Sequence, residues 1–269
     1  MARVTRFAPS PTGPLHLGHA FAAMTAAARG DKLHLRIEDI DGPRCKPEWE
    51  AQIYDDLRWL SLKWESPVLR QSTRLHAYES ALDQLAALGL TYACTCSRGD
   101  IRAALSAPQE GVVGPDGPLY PGTCRGKQGD GAVRLDMNKA MKRLGTIGFS
   151  ETGPRGGFHG FAARHLVSQI GDVVLARRDI GCSYHLAVVV DDAAQGITEV
   201  TRGEDLYDAT PIHVVLQRLL RLPTPAYHHH RLIRDDQGRR LAKRDDAQGL
   251  AKYRAEGALP EDIRWMVGL

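Results

Sequence analysis

The fold class follows from residues 4–40, which read VTRFAPSPTGPLHLGHAFAAMTAAARGDKLHLRIEDI. Residues 4–8, VTRFA, predict a short strand, and the alanine-rich run from His16 predicts a helix that ends near Gly30. Apolar residues alternate in the following KLHLRIEDI, which predicts a second strand. A strand, a helix and a further strand in this order predict an α/β domain with a parallel sheet.

The loop before the predicted helix carries the first candidate site. Its prolines keep residues 9–14 extended, and Gly18 leaves room for a ligand close to the backbone. His16 and His19 are three residues apart, so they share one face of the first helical turn. That turn exposes unpaired N–H groups and a partial positive charge, which suit a phosphate. We interpret this pattern as a nucleotide site, with a metal-binding pair and an ordinary capped helix as alternatives.

Beyond residue 40 the chain first continues the α/β pattern and then interrupts it. Pro47 suits the first turn of a helix, and Ser72 is predicted to cap the helix that follows. Residues 108–131 are rich in Gly and Pro without periodicity, which predicts an irregular insertion. Strand-like segments resume at GAVRLDM and DVVLARR, and a helix is predicted from about residue 211 to residue 220.

Composition narrows the class of protein. The 269 residues are 43% hydrophobic and 25% charged, an ordinary globular mixture with enough chain for a sizeable core. A net charge of +3 is only a weak sign of a nucleic-acid partner. No apolar run approaches the roughly 20 residues that cross a bilayer, and no signal pattern opens the chain. We therefore expect a cytoplasmic protein without a membrane partner.

Three of the five cysteines lie close together in or near the insertion. Cys94, Cys96 and Cys124 supply soft ligands, which in a reducing compartment favour a metal over a disulfide. Zinc prefers four ligands, and Tyr120 is a candidate for the fourth, although tyrosine is an uncommon ligand. A group of reduced thiols without metal is the alternative.

Two motifs together resemble a known family. The stretch APSPTGPLHLGH is similar to the HIGH motif of class I aminoacyl-tRNA synthetases, in the form used by glutamyl and glutaminyl enzymes. The loop at residues 240–244, RLAKR, resembles the second signature of that family, KMSKS. Lys243 matches the lysine that stabilises departing pyrophosphate, whereas Arg240 and Ala242 depart from the pattern. The chain also contains, in the order of the glutamyl class, the stretches RFAPS, RIEDID, VVVDD and QGITEVTRGEDL.

This resemblance implies the architecture of the chain. The expected fold is a Rossmann-type parallel-sheet catalytic domain with a zinc-bearing insertion. Its two parts would span residues 1–90 and 181–230, with the insertion at residues 91–180. Residues 231–269 would contain the KMSKS-like loop and a short helical segment, and we expect no anticodon-binding domain in the 26 residues after Lys243.

The resemblance also implies which residues act. An arginine pairs well with a carboxylate, and a carboxylate suits an ammonium group. The alternatives are structural salt bridges for the arginines and a solvated strand end for the glutamate. The residues expected to bind glutamate are Arg6, Ala8, Ser10, Glu38, Tyr184 and Arg202. Those expected to bind ATP, with its Mg²⁺, are Pro9, His16, Gly18, His19 and Lys243. His16, His19 and Lys243 are the expected catalytic residues.

Within the family, the chain resembles the short glutamyl-Q tRNA(Asp) synthetases. That resemblance implies that L-glutamate is activated with ATP without tRNA and is transferred to queuosine at the wobble position of tRNA(Asp). It also implies one structural zinc ion held by Cys94, Cys96, Tyr120 and Cys124, since these enzymes carry a Cys-x-Cys and Tyr-x-x-x-Cys site. The alternatives are an enzyme that charges the 3′ end of a tRNA and a catalytically inactive RNA-binding relative.

Overall fold

The computed structural model describes residues 2–97, 99–101, 113–127, 129–234 and 248–269. Lys243, Arg240 and Ala242 of the second signature lie outside these residues. Within the described ranges, no helix has both the length and the apolar character that a membrane span requires.

The described strands form four sheets. They are β1 (Val4–Phe7), β2 (Lys32–Ile37), β3 (Glu65–Arg70), β4 (Thr91–Cys94), β5 (Val113–Gly114), β6 (Gly117–Pro118), β7 (Ala132–Leu135), β8 (Ile147–Glu151), β9 (Gly157–Phe161), β10 (Val174–Ala176), β11 (Glu199–Gly203) and β12 (Ala226–His230).

The described helices cover the sheets and connect the strands. They are α1 (Leu17–Arg29), α2 (Pro47–Trp59), α3 (Leu75–Ala87), α4 (Met137–Leu144), α5 (Ala163–His165), α6 (Tyr184–Ala194), α7 (Thr210–Leu219), α8 (Leu250–Ala255) and α9 (Pro260–Val267). A π-helical turn, Leu166–Ile170, continues α5, and single 3₁₀ turns cover Gly42–Arg44, Gln71–Thr73 and Glu204–Leu206.

Two groups of parallel strands meet between β1 and β11. One sheet has the order β1-β2-β3, and the other has the order β11-β12-β8-β9, in which only β9 is antiparallel to its neighbour. The backbone amide of Thr198 donates to the carbonyl oxygen of Val4 at 3.0 Å, which joins the two groups. The chain leaves β1 through α1 toward β2 and leaves β11 through α7 toward β12. The strand order therefore reverses between β1 and β11, where ligands bind in open α/β sheets.

The predicted N-cap of helix α3 is wrong. The predicted helix after residue 70 begins at Leu75 with Arg74 at its N-cap, not at Ser72. The backbone amide and hydroxyl of Ser72 both donate to the carboxylate of Asp39, at 2.8 and 2.6 Å. Ser72 is therefore occupied with a partner far along the chain and cannot cap the helix.

The strands of the segment predicted as an insertion, residues 91–180, belong to three sheets. β4, β7 and β10 form a separate three-stranded sheet, and β5 and β6 form a small hairpin. β8 and β9 belong instead to the sheet of β11 and β12. The main apolar core includes residues from this region, such as Leu135, Phe149 and Leu175, together with the buried face of α6 and α7. Residues 91–180 therefore contribute to the same apolar core as α6 and α7.

Candidate active site

The two histidines of the first motif cap helix α1 with their side chains. His16 is the N-cap residue, and its Nδ1 accepts from the backbone amide of Gly18 at 3.1 Å. Nδ1 of His19 accepts from the backbone amide of His16 at 3.2 Å, and the two ring centroids are 3.9 Å apart. When Nδ1 accepts, a neutral imidazole carries its proton on Nε2. Both rings are thus held in one tautomer at the helix N-terminus.

Gly18 packs closely against the ring of His16. A Cβ at this position would lie 3.0 Å from Cε1 and 3.1 Å from Nδ1 of His16. To make room for a Cβ, the imidazole would have to move by a few tenths of an ångström from its capping position. The glycine of the motif therefore gives the histidine its place, in addition to any space that it leaves for a ligand.

Arg6, on β1, is buried and shares a carboxylate with a second arginine. Its Nε donates to Oδ1 of Asp192 at 3.1 Å, and Nη1 of Arg36 donates to the same oxygen at 2.7 Å. Burial alone would raise the pKa of Asp192, but the two guanidinium groups lower it below its ordinary value. Nη1 of Arg6 also donates to the carbonyl oxygen of Thr201. Nη2 of Arg6 has no hydrogen-bond acceptor within the described part of the chain.

Glu38 lies just past the end of β2 and faces the same group of charges. Its side chain is 11% exposed, and Oε1 accepts from Nη2 of Arg36 at 3.3 Å. Its backbone amide donates to the carbonyl oxygen of Pro9 at 3.1 Å, which fixes the loop of the first motif against the strand end. Burial raises the pKa of Glu38, although Arg36 and Arg6 oppose the shift. The arginine of the R-x-E-D motif therefore orients the glutamate.

A cavity of about 370 Å³ opens beside Glu38. Its polar lining includes Ser10, Glu38, Tyr184 and His185, together with Asp116 from the hairpin of β5 and β6. Burial and the charge of Glu38 raise the pKa of Tyr184, whereas the charges of Arg202 and Arg6 oppose that shift. The Tyr184 ring lies 5.8 Å from the ring of His213, which accepts a hydrogen bond from Arg202. Of the predicted glutamate-binding residues, Ser10, Glu38 and Tyr184 line this cavity, whereas Arg6, Ala8 and Arg202 are not among its lining residues. Ala8 is half-buried between β1 and Pro9.

Arg202, on β11, is buried among uncharged hydrogen-bond acceptors. Its Nη1 donates to Nδ1 of His213 at 2.9 Å, and its Nε donates to Nε2 of His229 at 3.2 Å. Nη2 donates to Oγ1 of Thr210 at 2.7 Å and to the carbonyl oxygen of Leu206 at 3.3 Å. These four acceptors fix the orientation of the guanidinium, which has no direct carboxylate partner among the residues described.

The partners that hold Arg6 and Arg202 were not predicted from the sequence. The two carboxylates of VVVDD have different partners. Asp192 binds Arg6 and Arg36, whereas Asp191 accepts hydrogen bonds from Gln71, Arg74 and Tyr78. A pair of adjacent acidic residues in an apolar run is itself a signal, because buried carboxylates need cationic partners. No comparable local signal marks His213 and His229, since their partners come from separate elements.

The described residues flanking the second signature reach the first motif. Gly249 forms an isolated antiparallel bridge with His16, and the backbone amide of Leu250 donates to the carbonyl oxygen of Leu15 at 2.7 Å. A Cβ at position 249 would lie 3.1 Å from Cβ of Pro14. The chain thus returns to the histidines directly after the segment that contains Lys243.

The three cysteines of the insertion form one cluster with Tyr120. The Sγ atoms of Cys94, Cys96 and Cys124 lie within 4.8 Å of one another. The Tyr120 hydroxyl is 3.3 Å from Sγ of Cys94 and 3.5 Å from Sγ of Cys96. Its hydrogen bond lowers the pKa of Cys124 to about 6. Four donors around one point, three of them thiols, match the set that a tetrahedral metal ion requires. The cluster can hold a metal ion.

Comparison with protein families places the chain among the synthetases. The model of the tRNA synthetases class I (E and Q), catalytic domain, matches residues 3–125 and 162–269. The crystal structure of glutamate-tRNA synthetase from Elizabethkingia anophelis superimposes with a TM-score of 0.79 and 25% sequence identity. That comparison covers 100% of this chain but 61% of the other, so this chain spans less than two thirds of that synthetase.

Two curated relatives match over most of their length. The glutamyl-Q tRNA(Asp) synthetase of Rhodobacter capsulatus is 60% identical over 99% of this chain and 100% of its own. The protein of the same name from Albidiferax ferrireducens is 42% identical over 92% of this chain and 86% of its own. The predicted class I synthetase fold with a parallel sheet is confirmed. The chain belongs to the class I tRNA synthetases of the E and Q type and, within them, to the glutamyl-Q tRNA(Asp) synthetase family.

Proposed function

We propose that this protein activates L-glutamate with ATP and transfers the glutamyl group to queuosine at the wobble position of tRNA(Asp). The observation that carries the proposal is a pair of contacts at the point where the strand order reverses. Arg6 and Glu38 are joined through Asp192 and Arg36, and Arg202 and Tyr184 both contact His213. Two guanidinium groups and one carboxylate in one place are complementary to a dicarboxylic amino acid. The names of the relatives support the acceptor.

Each pocket residue receives a role from its surroundings. Arg6 and Arg202 bind the substrate carboxylates, and Glu38 pairs with the ammonium group. The Tyr184 hydroxyl supplies a further hydrogen bond, and Ala8 and Ser10 form the wall of the pocket. Because glutamine lacks the second carboxylate, it would leave one buried guanidinium poorly matched, so the site selects glutamate.

The first motif binds ATP in this proposal. In the activation step a glutamate carboxylate oxygen attacks the α-phosphorus, pyrophosphate leaves, and glutamyl-adenylate remains. His16 and His19 direct Nε2–H donors at the charge that develops on the phosphates, and Pro9 and Gly18 line the nucleotide site. Lys243 neutralises the departing pyrophosphate, and Mg²⁺ accompanies the ATP phosphates. Transfer of the glutamyl group to the nucleoside then releases AMP.

The cluster in the insertion is proposed to hold one structural zinc ion. Cys94, Cys96 and Cys124 are thiol ligands, and Tyr120 is the fourth. Zn–S bonds of about 2.3 Å in a tetrahedron place sulfur atoms about 3.8 Å apart, close to the 3.4 Å between Cys96 and Cys124. The ion would hold the loop between β6 and β7 against β4. Since ATP and tRNA are the substrates, we place the reaction in the cytoplasm.

The test maps labelled glutamate on tRNA(Asp) with and without queuosine. ATP–pyrophosphate exchange is first measured without tRNA, with glutamate and with glutamine. We expect exchange with glutamate alone and label in the anticodon loop, dependent on queuosine. Label on the 3′-terminal adenosine would show that the protein charges a tRNA end, and absence of exchange would identify an inactive RNA-binding relative.

A further inference from the structure

A chain of hydrogen bonds connects the insertion to the candidate amino-acid site. Five of its six side chains are buried, and the carboxylate of Asp116, at one end of the hydrogen-bond chain, is half exposed. The contacts range from 2.5 to 3.2 Å. Its members, in order of contact, are Asp116, His185, His213, Arg202, His229 and Glu151.

Arg202 determines the direction of every proton in this chain. A guanidinium only donates, so Nδ1 of His213 and Nε2 of His229 must accept from it. The opposite nitrogen of each neutral ring then carries the proton. His213 donates from Nε2 to Nδ1 of His185, at 2.9 Å, and His185 donates from Nε2 to the Asp116 carboxylate, also at 2.9 Å. His229 donates from Nδ1 to Glu151.

Both rings that contact Arg202 are neutral near pH 7. Burial and the charge of Arg202 lower the pKa of His213 well below its ordinary value. The same two causes lower the pKa of His229 to about 4, although Glu151 opposes them. Arg202 is therefore held by neutral imidazoles, and the carboxylates of Asp116 and Glu151 act on it only through those rings.

This arrangement keeps the charge of Arg202 available. Arg6 donates directly to a carboxylate, whereas no salt bridge to Arg202 occurs among the described residues. One hydrogen on Nη1 of Arg202 also lacks an acceptor in those ranges. A guanidinium oriented by neutral acceptors retains full attraction for an incoming carboxylate, because no protein carboxylate competes for it.

Asp116 lies in the turn of the hairpin formed by β5 and β6, and it also lines the cavity beside Glu38 and Tyr184. We propose that Asp116, acting through His185 and His213, positions Arg202 for a substrate carboxylate. Asp116 is thus a positioning residue that the insertion contributes to the amino-acid site. The inference rests on the proposed activation of a carboxylic amino acid.

The test measures the steady-state constants of glutamate-dependent ATP–pyrophosphate exchange for Asp116→Ala and Asp116→Glu. Asp116→Ala should raise KM for glutamate by roughly fivefold, the size of one lost hydrogen bond in a charged chain, and leave KM for ATP within about twofold. Asp116→Glu should recover most of the loss. Asp83→Ala, at an exposed position on α3, is the matched control and should match the wild type.

A second measurement tests the hydrogen-bond chain independently of catalysis. Nitrogen NMR of the imidazoles should show His185 and His213 as Nε2–H tautomers in the wild type and a changed His185 signal in Asp116→Ala. An unchanged KM for glutamate in that variant, or an equal rise in both constants, would overturn the coupling while wild-type exchange remained normal. Wild-type protein without any exchange, but with the expected tautomers, would instead contradict the proposed function.

Discussion

Nδ1 of His19 accepts a hydrogen bond from the backbone amide of His16 at 3.2 Å. This bond fixes the tautomer of His19, since an accepting Nδ1 leaves the proton of a neutral ring on Nε2. Nδ1 of His16 is occupied in the same way by the amide of Gly18. The helix start therefore sets the protonation pattern of both rings through its own backbone donors, which would otherwise lack partners.

Gly18→Ala tests this use of the helix start. The added Cβ would displace the ring of His16 by a few tenths of an ångström, so we expect glutamate-dependent exchange to fall by up to roughly tenfold as its donor loses alignment. Gly160→Ala is a suitable control, because its Cβ would meet only Phe158, at 3.8 Å. Exchange at the wild-type rate in Gly18→Ala, with the fold intact, would show that the ring position is unimportant.

Arg202→Ala and Arg202→Lys separate charge from geometry. Lysine keeps the charge but cannot donate in the four directions that Arg202 uses, toward His213, His229, Thr210 and Leu206. Both variants should therefore raise KM for glutamate by at least about tenfold, while KM for ATP changes much less. The measurement is exchange at varied glutamate and then at varied ATP. Equal losses in both constants would argue against a carboxylate-binding role.

The sequence allowed prediction of those features that depend on local patterns. Strand β1, helix α1 and strand β2 follow from apolar spacing, and Gly30 ends α1 as expected. The apolar run HLAVVVDD, residues 185–192, did not distinguish a helix from a strand, because successive apolar residues occur in buried helices and strands alike. In the structure it lies in α6. β3 carried no clear alternation and was missed.

Contacts between distant elements could not be predicted in the same way. Ser72 has the composition of a helix cap, but Asp39 binds it across 33 residues. The family resemblance predicts which residues form the pocket, but it did not predict the partners that hold those residues. The hydrogen bonds of His213 and His229 to Arg202 depend on how α7 and β12 pack beside β11, and spacing in the chain does not encode that packing.

Metal content tests the cluster of the insertion. We expect about one zinc per chain in protein purified without added metal, because four donors can complete a tetrahedron. Cys124→Ala should lose the ion, and Tyr120→Phe should weaken its retention against a chelator. Cys45→Ala, which changes a cysteine outside the cluster, should keep full zinc. Undiminished zinc in Cys124→Ala would exclude the site, and undiminished retention in Tyr120→Phe would exclude only the phenolic ligand.

Stability should fall on acidification because His229 resists protonation in the folded state. Its pKa is lowered from 6.5 to about 4, first by burial and then by Arg202. The unfolded chain binds more protons between these values, so stability is highest above pH 6.5 and decreases as the pH falls toward 4. From pH 7 to pH 5 this residue should account for about 2 kcal/mol of the free energy of unfolding.

Denaturant unfolding at pH 7 and pH 5 checks this slope with His229→Gln, which can still donate to Glu151. The variant should lose less stability on acidification than the wild type. His76→Gln is the control, since the His76 side chain is 98% exposed and its change should leave the slope as it was. Parallel slopes for the wild type and His229→Gln would mean that other groups cause the acid sensitivity.

The return of the chain to the histidines predicts how the second signature acts. Gly249 pairs with His16, and Lys243 precedes Gly249 by six residues in the sequence. Lys243→Ala should therefore slow glutamyl-adenylate formation by roughly a hundredfold, the loss expected when charge stabilisation of a leaving group disappears. Ala242→Ser adds only the hydroxyl of the KMSKS serine and should leave the rate equal or higher, which makes it the matched control for a change in the same loop.

The measurement that checks both variants is single-turnover formation of adenylate at saturating glutamate and ATP. If Lys243→Ala forms adenylate within twofold of the wild-type rate, another cation must neutralise the pyrophosphate, and the match of this loop to KMSKS loses its functional meaning.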